Sequence, residues 1–347
     1  MREIQRIGVW QTAFLGDAVL TLPLLQALHE AFPEAELHFV VRAGVQELFT
    51  AQPGITSVTG FDKRGTQRGL GAAWAFGRTM AARELDLWVS AHASLRSAVT
   101  AFATGAPMRV GYAAPLYNRM AYTHTVQRAF DQFDEIERLL RLLRPLDLEP
   151  ASGDFPWPDM VLPPSAEIEA EELLGSLPGP LLGVHPGSTW PTKQWPVEYF
   201  AQVAATAVEA GATVVVFGGP GEEADAETVV RGAVQGAGRV INLAGAVSLP
   251  VLAACIRRLD AYLTNDSGPM HLAWMQRVPT LALFGPTVRE LGFFPRGRTA
   301  HVLEVAELSC RPCGLHGPKR CPQGHHRCMR DMQPAFVWEH LAPMLGA

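Results

Sequence analysis

Short apolar runs of strand length recur along the chain, each followed by a stretch with apolar residues at helical spacing. In the first half the runs are IGVW (7–10), ELHFVV (36–41), LDLWVSA (85–91) and MRVGY (108–112). Leu20, Leu24, Leu25 and Leu28, between the first two runs, share one helical face. Such alternation predicts parallel strands joined by helical crossovers. Residues 149–165, EPASGDFPWPDMVLPPS, interrupt it with five prolines. Proline fixes φ and removes a donor, so a linker is expected there. The alternation then resumes with LLGVH (181–185), TVVVFGG (213–219), RVINL (239–243), DAYLT (260–264) and PTLALFG (279–285). AFVWEHLAPML (335–345) predicts a last amphipathic helix. The expected architecture is α/β, with two Rossmann-like domains at 1–150 and 165–308 and a linker at 151–164. A Cys-rich segment at 309–330 and a terminal helix at 331–347 follow.

The bulk numbers narrow the class. With 48% hydrophobic and 18% charged residues, the 347-residue chain can build real cores and is not a disordered one. No window of about 18 uninterrupted apolar residues exists, so no membrane-spanning helix is expected. MREIQRIGVWQTAF is interrupted by Gln5, Arg6 and Gln11 and has no signal-type apolar core, which makes a cytoplasmic setting the expectation. A net charge of −5 argues against a general nucleic-acid binder. The distribution is more informative: ten Lys/Arg face four Asp/Glu between Arg42 and Arg128, a local excess of six. That imbalance points to an anionic partner for the first half.

Sheets of this type bind ligands beyond the C-terminal ends of their strands. Three such ends carry suggestive loops. In HPGSTWPTKQWP (185–196), Gly187, Ser188 and Thr189 present amides and hydroxyls, and Lys193 supplies a positive charge. TNDSGPMH (264–271) places Asp266 or Ser267 at a helix start whose amides favour an anion. FGPT (284–287) adds the Thr287 hydroxyl. Any one of these can be a merely structural loop; three on one rim point to a diphosphate site. Glu222 and Glu223, after the GGP turn (218–220), can bind ribose hydroxyls or simply complement a helix dipole. No GxGxxG follows the first strand and no GxxxxGK[ST] occurs anywhere, so neither a dinucleotide dehydrogenase nor a P-loop kinase is supported.

The set LGDAVLTLP, HPGSTWPTKQWP, TNDSGPMHLA and FGPT resembles the ADP-heptose:lipopolysaccharide heptosyltransferases, glycosyltransferase family 9. The resemblance covers nearly the whole chain in order. It implies a GT-B fold, two Rossmann-like domains facing each other across a cleft. It further implies an ADP-L-glycero-β-D-manno-heptose donor in the second domain and a phosphorylated lipopolysaccharide inner-core acceptor in the first. Inversion at the anomeric carbon, no catalytic metal and peripheral contact with the cytoplasmic face of the inner membrane are expected. By motif position Asp17 matches the catalytic base and Lys193 the pyrophosphate-contacting lysine. Thr192 and Thr287 match phosphate positions, Glu222 a ribose contact, and Asp266, Ser267, Gly268 and His271 the DSGxxH donor element. Ser188 and Thr189 join the donor set. Arg96, in ASLRSA, sits near the expected acceptor, with Lys63 and Arg64 from the basic stretch. Many members carry Arg-x-Ser before LGD where this chain has Gln11, Thr12, Ala13 and Phe14, which leaves the acceptor open. The alternatives are another nucleotide sugar, a sugar-nucleotide epimerase on the same fold, a protein acceptor, or a non-catalytic metal-stabilised scaffold.

SCRPCGLHGPKRCPQGHHRCM holds Cys310, Cys313, Cys321 and Cys328. Such density without an oxidising setting argues for a structural metal rather than disulfides, with zinc or iron as the candidates. His316, His325 and His326 are possible substitutes, and reduced thiols in a loop are the plain alternative. Cys255, in the apolar LAACI, is expected in a core.

Overall fold

The structure, a computed structural model, describes residues 4–148, 158–233 and 239–347. It divides into two compact units, Met1–Pro163 and Pro164–Ala347. Residues 149–157 of the proline-rich stretch lie outside the described residues. Met160 and Leu162 beyond them are buried, and a helix begins at Pro164.

In unit one, β1 (Arg6–Gln11) leads to α1 (Leu15–Leu20) and α2 (Leu22–Ala31). Thr21 and Pro23 account for the break between these helices: Pro23 has no N–H to continue the α1 ladder but suits the first turn of α2. Next come β2 (Glu36–Arg42), β3 (Ser57–Phe61), α3 (Leu70–Ala81), β4 (Leu87–Ser90), α4 (Leu95–Thr104) and β5 (Met108–Tyr112). The unit closes with α5 (Asn118–Ala121), β6 (His124–Val126) and α6 (Glu135–Leu140). All six strands are parallel, in the order β3-β2-β1-β4-β5-β6. That is the doubly wound order, whose topological switch lies between β1 and β4.

Unit two repeats the plan. It contains α7 (Pro164–Leu174), β7 (Leu181–His185), α8 (Val197–Glu209), β8 (Thr213–Val216), α9 (Glu223–Ala233) and β9 (Val240–Asn242). After α10 (Leu249–Arg257) follow β10 (Ala261–Asn265), α11 (Gly268–Met275), β11 (Thr280–Phe284), β12 (Ala300–Glu304), α12 (Arg327–Arg330) and α13 (Pro334–Leu341). The parallel order is β12-β11-β10-β7-β8-β9, with its switch between β7 and β10. The expected terminal helix is α13, and its last turn tightens to 3-10 at Ala342–Leu345, where Pro343 ends the α-helical ladder. Met329, Met332, Val337 and Leu341 enter the same core as the strands, so the C-terminal segment is part of unit two.

Three strands escaped the hydrophobic pattern: β3, β6 and β12. Each is an edge strand with partly exposed positions, and β3 also contains Gly60. Half-solvated edges do not need the apolar runs that mark buried parallel strands.

The core of unit one gathers around Trp10, whose ring lies 5.0 Å from Phe61, 5.7 Å from Phe76 and 6.0 Å from Trp88. Its indole N–H donates to Ser97 Oγ at 3.0 Å, and the Ser97 amide donates to Ser94 Oγ, the N-cap of α4. One buried tryptophan thus satisfies its polar group and fixes where α4 begins. Beside it, α3 and α4 approach closely at Gly77: a Cβ there would stand 2.6 Å from both the Thr100 carbonyl oxygen and Ala103 Cβ. Backbone cannot yield as a flexible side chain does. Gly77→Ala is therefore expected to destabilise unit one by ~1–3 kcal/mol, the usual cost of overpacking. Denaturant unfolding checks this.

Candidate functional site

The loops after β7, β10 and β11 meet at the switch point of unit two. Thr264 pairs with His185 in the sheet, which places the residues after each strand side by side. Asn265 locks them together: its Oδ1 accepts the Trp195 amide at 3.0 Å, and its Nδ2 donates to the Pro186 carbonyl at 2.7 Å. On this frame Lys193 Nζ lies 2.5 Å from Asp266 Oδ2, and the Thr287 hydroxyl donates to the same oxygen at 2.6 Å. Ser188 Oγ donates to the Asp266 carbonyl at 3.3 Å. Lys193, Asp266 and Thr287 are all buried. A buried cation is thus held at a rim of hydroxyls and helix-start amides, a suitable place for a diphosphate. Gly268 opens α11, with Ser267 as its N-cap residue. His271 is buried in that helix, and burial pushes its imidazole down to about 4 despite the Asp266 carboxylate. It is neutral at physiological pH and its Nδ1 accepts the Trp274 indole N–H at 3.0 Å.

Glu222 is turned toward this rim. Its Oε2 pairs with His185 Nε2 at 3.0 Å and accepts the Gly219 amide at 2.7 Å. Burial raises its carboxyl, but His185 and the Gly219 amide outweigh that and hold it below the ordinary value. A Cβ on Gly187 would stand about 2.1 Å from that carboxyl group, so Glu222 packs directly on the loop after β7. Glu223 is exposed and accepts the Gly221 amide instead. Thr189 is also exposed. Thr192 is buried, and its hydroxyl donates to the Pro318 carbonyl at 2.5 Å.

The Cys-rich segment braces these loops. His326 Nε2 donates to the Thr192 carbonyl at 2.8 Å, and the Cys313 amide donates to the Pro286 carbonyl at 2.9 Å. Arg311, missed by sequence reading, is the center of this brace. Its guanidinium donates to the Gly285 carbonyl, to the carbonyls of Val305 (2.7 Å) and Thr287 (2.8 Å), and to Glu304 Oε2 at 2.7 Å. In the sequence its one distinguishing feature is its position between Cys310 and Cys313.

The four cysteines Cys310, Cys313, Cys321 and Cys328 lie near enough to one another that their charges interact, burial and then the other three raising the Cys328 thiol. Among the described residues no group of three or more His, Cys, Asp or Glu is placed to hold a metal ion. Cys328 is buried in the unit-two core, and Cys313 Sγ donates to the Cys310 carbonyl at 3.1 Å. His316 stacks on Trp190 at 5.9 Å, His326 bonds Thr192, and His325 Nδ1 accepts the Arg327 amide. Cys255 is fully buried.

Unit one carries a second candidate site at its own switch point. A cavity of about 180 Å³ is lined by Thr12, Lys63, Arg64, His92, Ser94 and Arg96. Lys63 Nζ donates to the carbonyls of Thr12 and Ala13, and Arg96 donates to the Lys63 carbonyl at 3.1 Å. Burial, reinforced by Arg42, Arg64 and Arg96, pushes the Lys63 ammonium down to about 8. Burial and the neighbouring cations push His92 to about 3, so its ring is neutral. Asp17 occupies the third position of α1, and its Oδ2 accepts the Phe14 amide at 3.0 Å. It thereby supplies the carboxylate half of a capping box. Burial raises its carboxyl above the ordinary range, outweighing the Phe14 amide, Arg128 and Lys63. Arg128 and Arg138 pair with the buried Glu135 at 2.7 and 3.1 Å, a network behind Asp17 that sequence reading also missed.

Two parallel six-stranded doubly wound sheets per chain define the GT-B class. The model of glycosyltransferase family 9 (heptosyltransferase) matches residues 73–317, and the chain belongs to that family. It is 25% identical over 352 residues to lipopolysaccharide heptosyltransferase 2 of Escherichia coli, covering 98% of each chain. It is 30% identical over 162 residues to lipooligosaccharide heptosyltransferase 2 of Campylobacter jejuni; that match takes in 46% of this chain and spans only half (50%) of the relative's length. The crystal structure of a family 9 glycosyl transferase from Veillonella parvula superposes with a TM-score of 0.87 at 24% identity, over 99% of this chain and 98% of that one.

Removing Lys193 leaves Asp266 as a buried carboxylate supported only from one side, which ordinarily costs ~3–5 kcal/mol. Lys193→Met is therefore expected to lower the melting temperature, and Lys193→Met/Asp266→Asn to recover most of it. If the lysine acts on the diphosphate, the double variant is expected to remain ~10²–10³-fold slow in kcat. Thermal melts and steady-state kinetics on both variants check this.

Proposed function

We propose that this protein transfers heptose from ADP-L-glycero-β-D-manno-heptose to a phosphorylated inner-core acceptor of lipopolysaccharide, with inversion at the anomeric carbon. Unit two binds the donor and unit one the acceptor, at the cytoplasmic face of the inner membrane. The observation that carries the reading is the buried Lys193–Asp266–Thr287 cluster at the unit-two switch point, together with the family's heptosyltransferase description. The cation-lined cavity of unit one supports an acceptor bearing phosphate. Among the described residues no helix is long and apolar enough to cross a membrane.

In the proposed reaction the acceptor hydroxyl oxygen bonds to the anomeric carbon as the bond from that carbon to the diphosphate oxygen breaks. The hydroxyl proton passes to Asp17. ADP leaves with the electron pair of the broken bond, and Lys193 stabilises the charge that grows on it, favouring the transition state over the ground state. The raised carboxyl of Asp17 suits a base, because a stronger base accepts the proton with more driving force. Thermal-shift and turnover assays over ADP-, UDP- and GDP-linked sugars test the donor. ADP-heptose alone is expected to turn over, and preferred turnover of a UDP- or GDP-sugar overturns the reading.

Asp17→Asn separates base from helix cap, since Asn can still accept the Phe14 amide. Turnover is expected to fall ~10²–10⁴-fold with donor affinity unchanged. The raised carboxyl also sets a sign for stability. Folded protein holds the Asp17 proton more tightly than unfolded chain, so the ionised form costs stability as pH rises through the folded value. At neutral pH the Asn variant should therefore melt no lower than the parent, and any gain should vanish in acid. Near-normal turnover in that variant leaves only the cap.

A further inference from the structure

Unit one exposes an apolar face that neither its core nor its anion cavity uses. Leu70 and Trp74 lie on the outer side of α3, Leu95 and Phe102 on that of α4, and Leu116 and Met120 at α5; all six are exposed, the last two by 76% and 77%. The face is continuous, because α3 packs on α4 and α4 on α5. The Trp74 and Phe102 rings are 6.1 Å apart and bridge the first pair. Large exposed apolar groups gathered in one place mark an interaction surface rather than ordinary scatter.

Charge identifies the partner. Residues 63–83 and 87–130, which include all three helices, carry nine Lys/Arg and no Asp or Glu. Arg78 and Arg119 are exposed within this face, and the Arg109 guanidinium lies 5.9 Å from the Phe102 ring. Aromatic and aliphatic side chains on three helices whose only charged residues are arginines match a surface with anionic headgroups above acyl chains. A partner protein would need to offer a wholly acidic rim around an apolar center. Arg96, which follows Leu95 on α4, also lines the anion cavity, so the face and the cavity adjoin.

We infer that the α3–α4–α5 face docks unit one on an anionic lipid bilayer, seating the anion cavity at the headgroup level. Trp74, Phe102, Leu116 and Met120 enter the interface, and Arg78, Arg109 and Arg119 pair with lipid phosphates. This inference rests on the membrane setting and acceptor proposed above and adds the face that makes the contact.

The test is sedimentation of the full chain with vesicles of phosphatidylcholine, with and without phosphatidylglycerol. Binding is expected only with the anionic lipid and is expected to weaken with salt. Arg78→Gln and Arg119→Gln should each lower partitioning roughly fivefold, and Trp74→Ala/Phe102→Ala should abolish it while the melting temperature stays near that of the parent. Turnover on a deacylated, water-soluble acceptor should be unchanged in all of them, which separates this inference from the proposed chemistry. Equal binding to neutral vesicles, no binding to anionic ones, or variants that bind as the parent does would overturn it. So would concentration-dependent self-association relieved by Trp74→Ala/Phe102→Ala, which would assign the face to a second copy.

Discussion

The oxygen Oδ2 of Asp266 is the point on which the second unit's candidate site is built. It receives Lys193 from the loop after β7 and Thr287 from the loop after β11, while Asp266 itself follows β10. Three loops that are distant in sequence are thus tied to one buried atom. A buried ion pair seldom adds net stability against an apolar alternative, so its presence here speaks for a positional role. The parallel sheet makes the meeting possible, because adjacent strands deliver their C-terminal ends to one edge.

In the proposed reaction, holding a lysine this way has a consequence for turnover. Its ammonium is already in place, partly desolvated and oriented, before a diphosphate arrives. Little reorganisation then accompanies charge development on the leaving group. The brace behind it extends further, from the Thr287 carbonyl through Arg311 to Glu304 and from the Thr192 carbonyl to His326. The Cys-rich segment therefore contributes to the site through its arginine and histidine, whereas its sulfurs are not assembled as a ligand set.

Much of this was legible in the sequence. Buried strands announce themselves as apolar runs, and the loops at their ends carry the Gly, Ser, Thr and Asp that a switch-point site requires. What escaped was of two kinds. Edge strands such as β3 and β12 are half solvated and lack the run. Arg311 and Asn265 act across long sequence separations, so no local pattern shows them, whereas the Glu135–Arg128–Arg138 network is local and resembles ordinary solvated charges until burial is known. Spacing shows that four thiols are available in the Cys-rich segment, and among the described residues they do not form a group placed to hold a metal ion. Asp17 is the intermediate case, because its helix-capping geometry and its raised carboxyl coexist in one side chain.

The most direct measurement of the central claim is the structure of the product. Incubation with ADP-L-glycero-β-D-manno-heptose and an inner-core acceptor, followed by mass spectrometry and the anomeric carbon–proton coupling in NMR, reads both the group transferred and its configuration. The account predicts one added heptose, α-linked. A β-linked heptose, or hydrolysis of the donor without transfer, would contradict it.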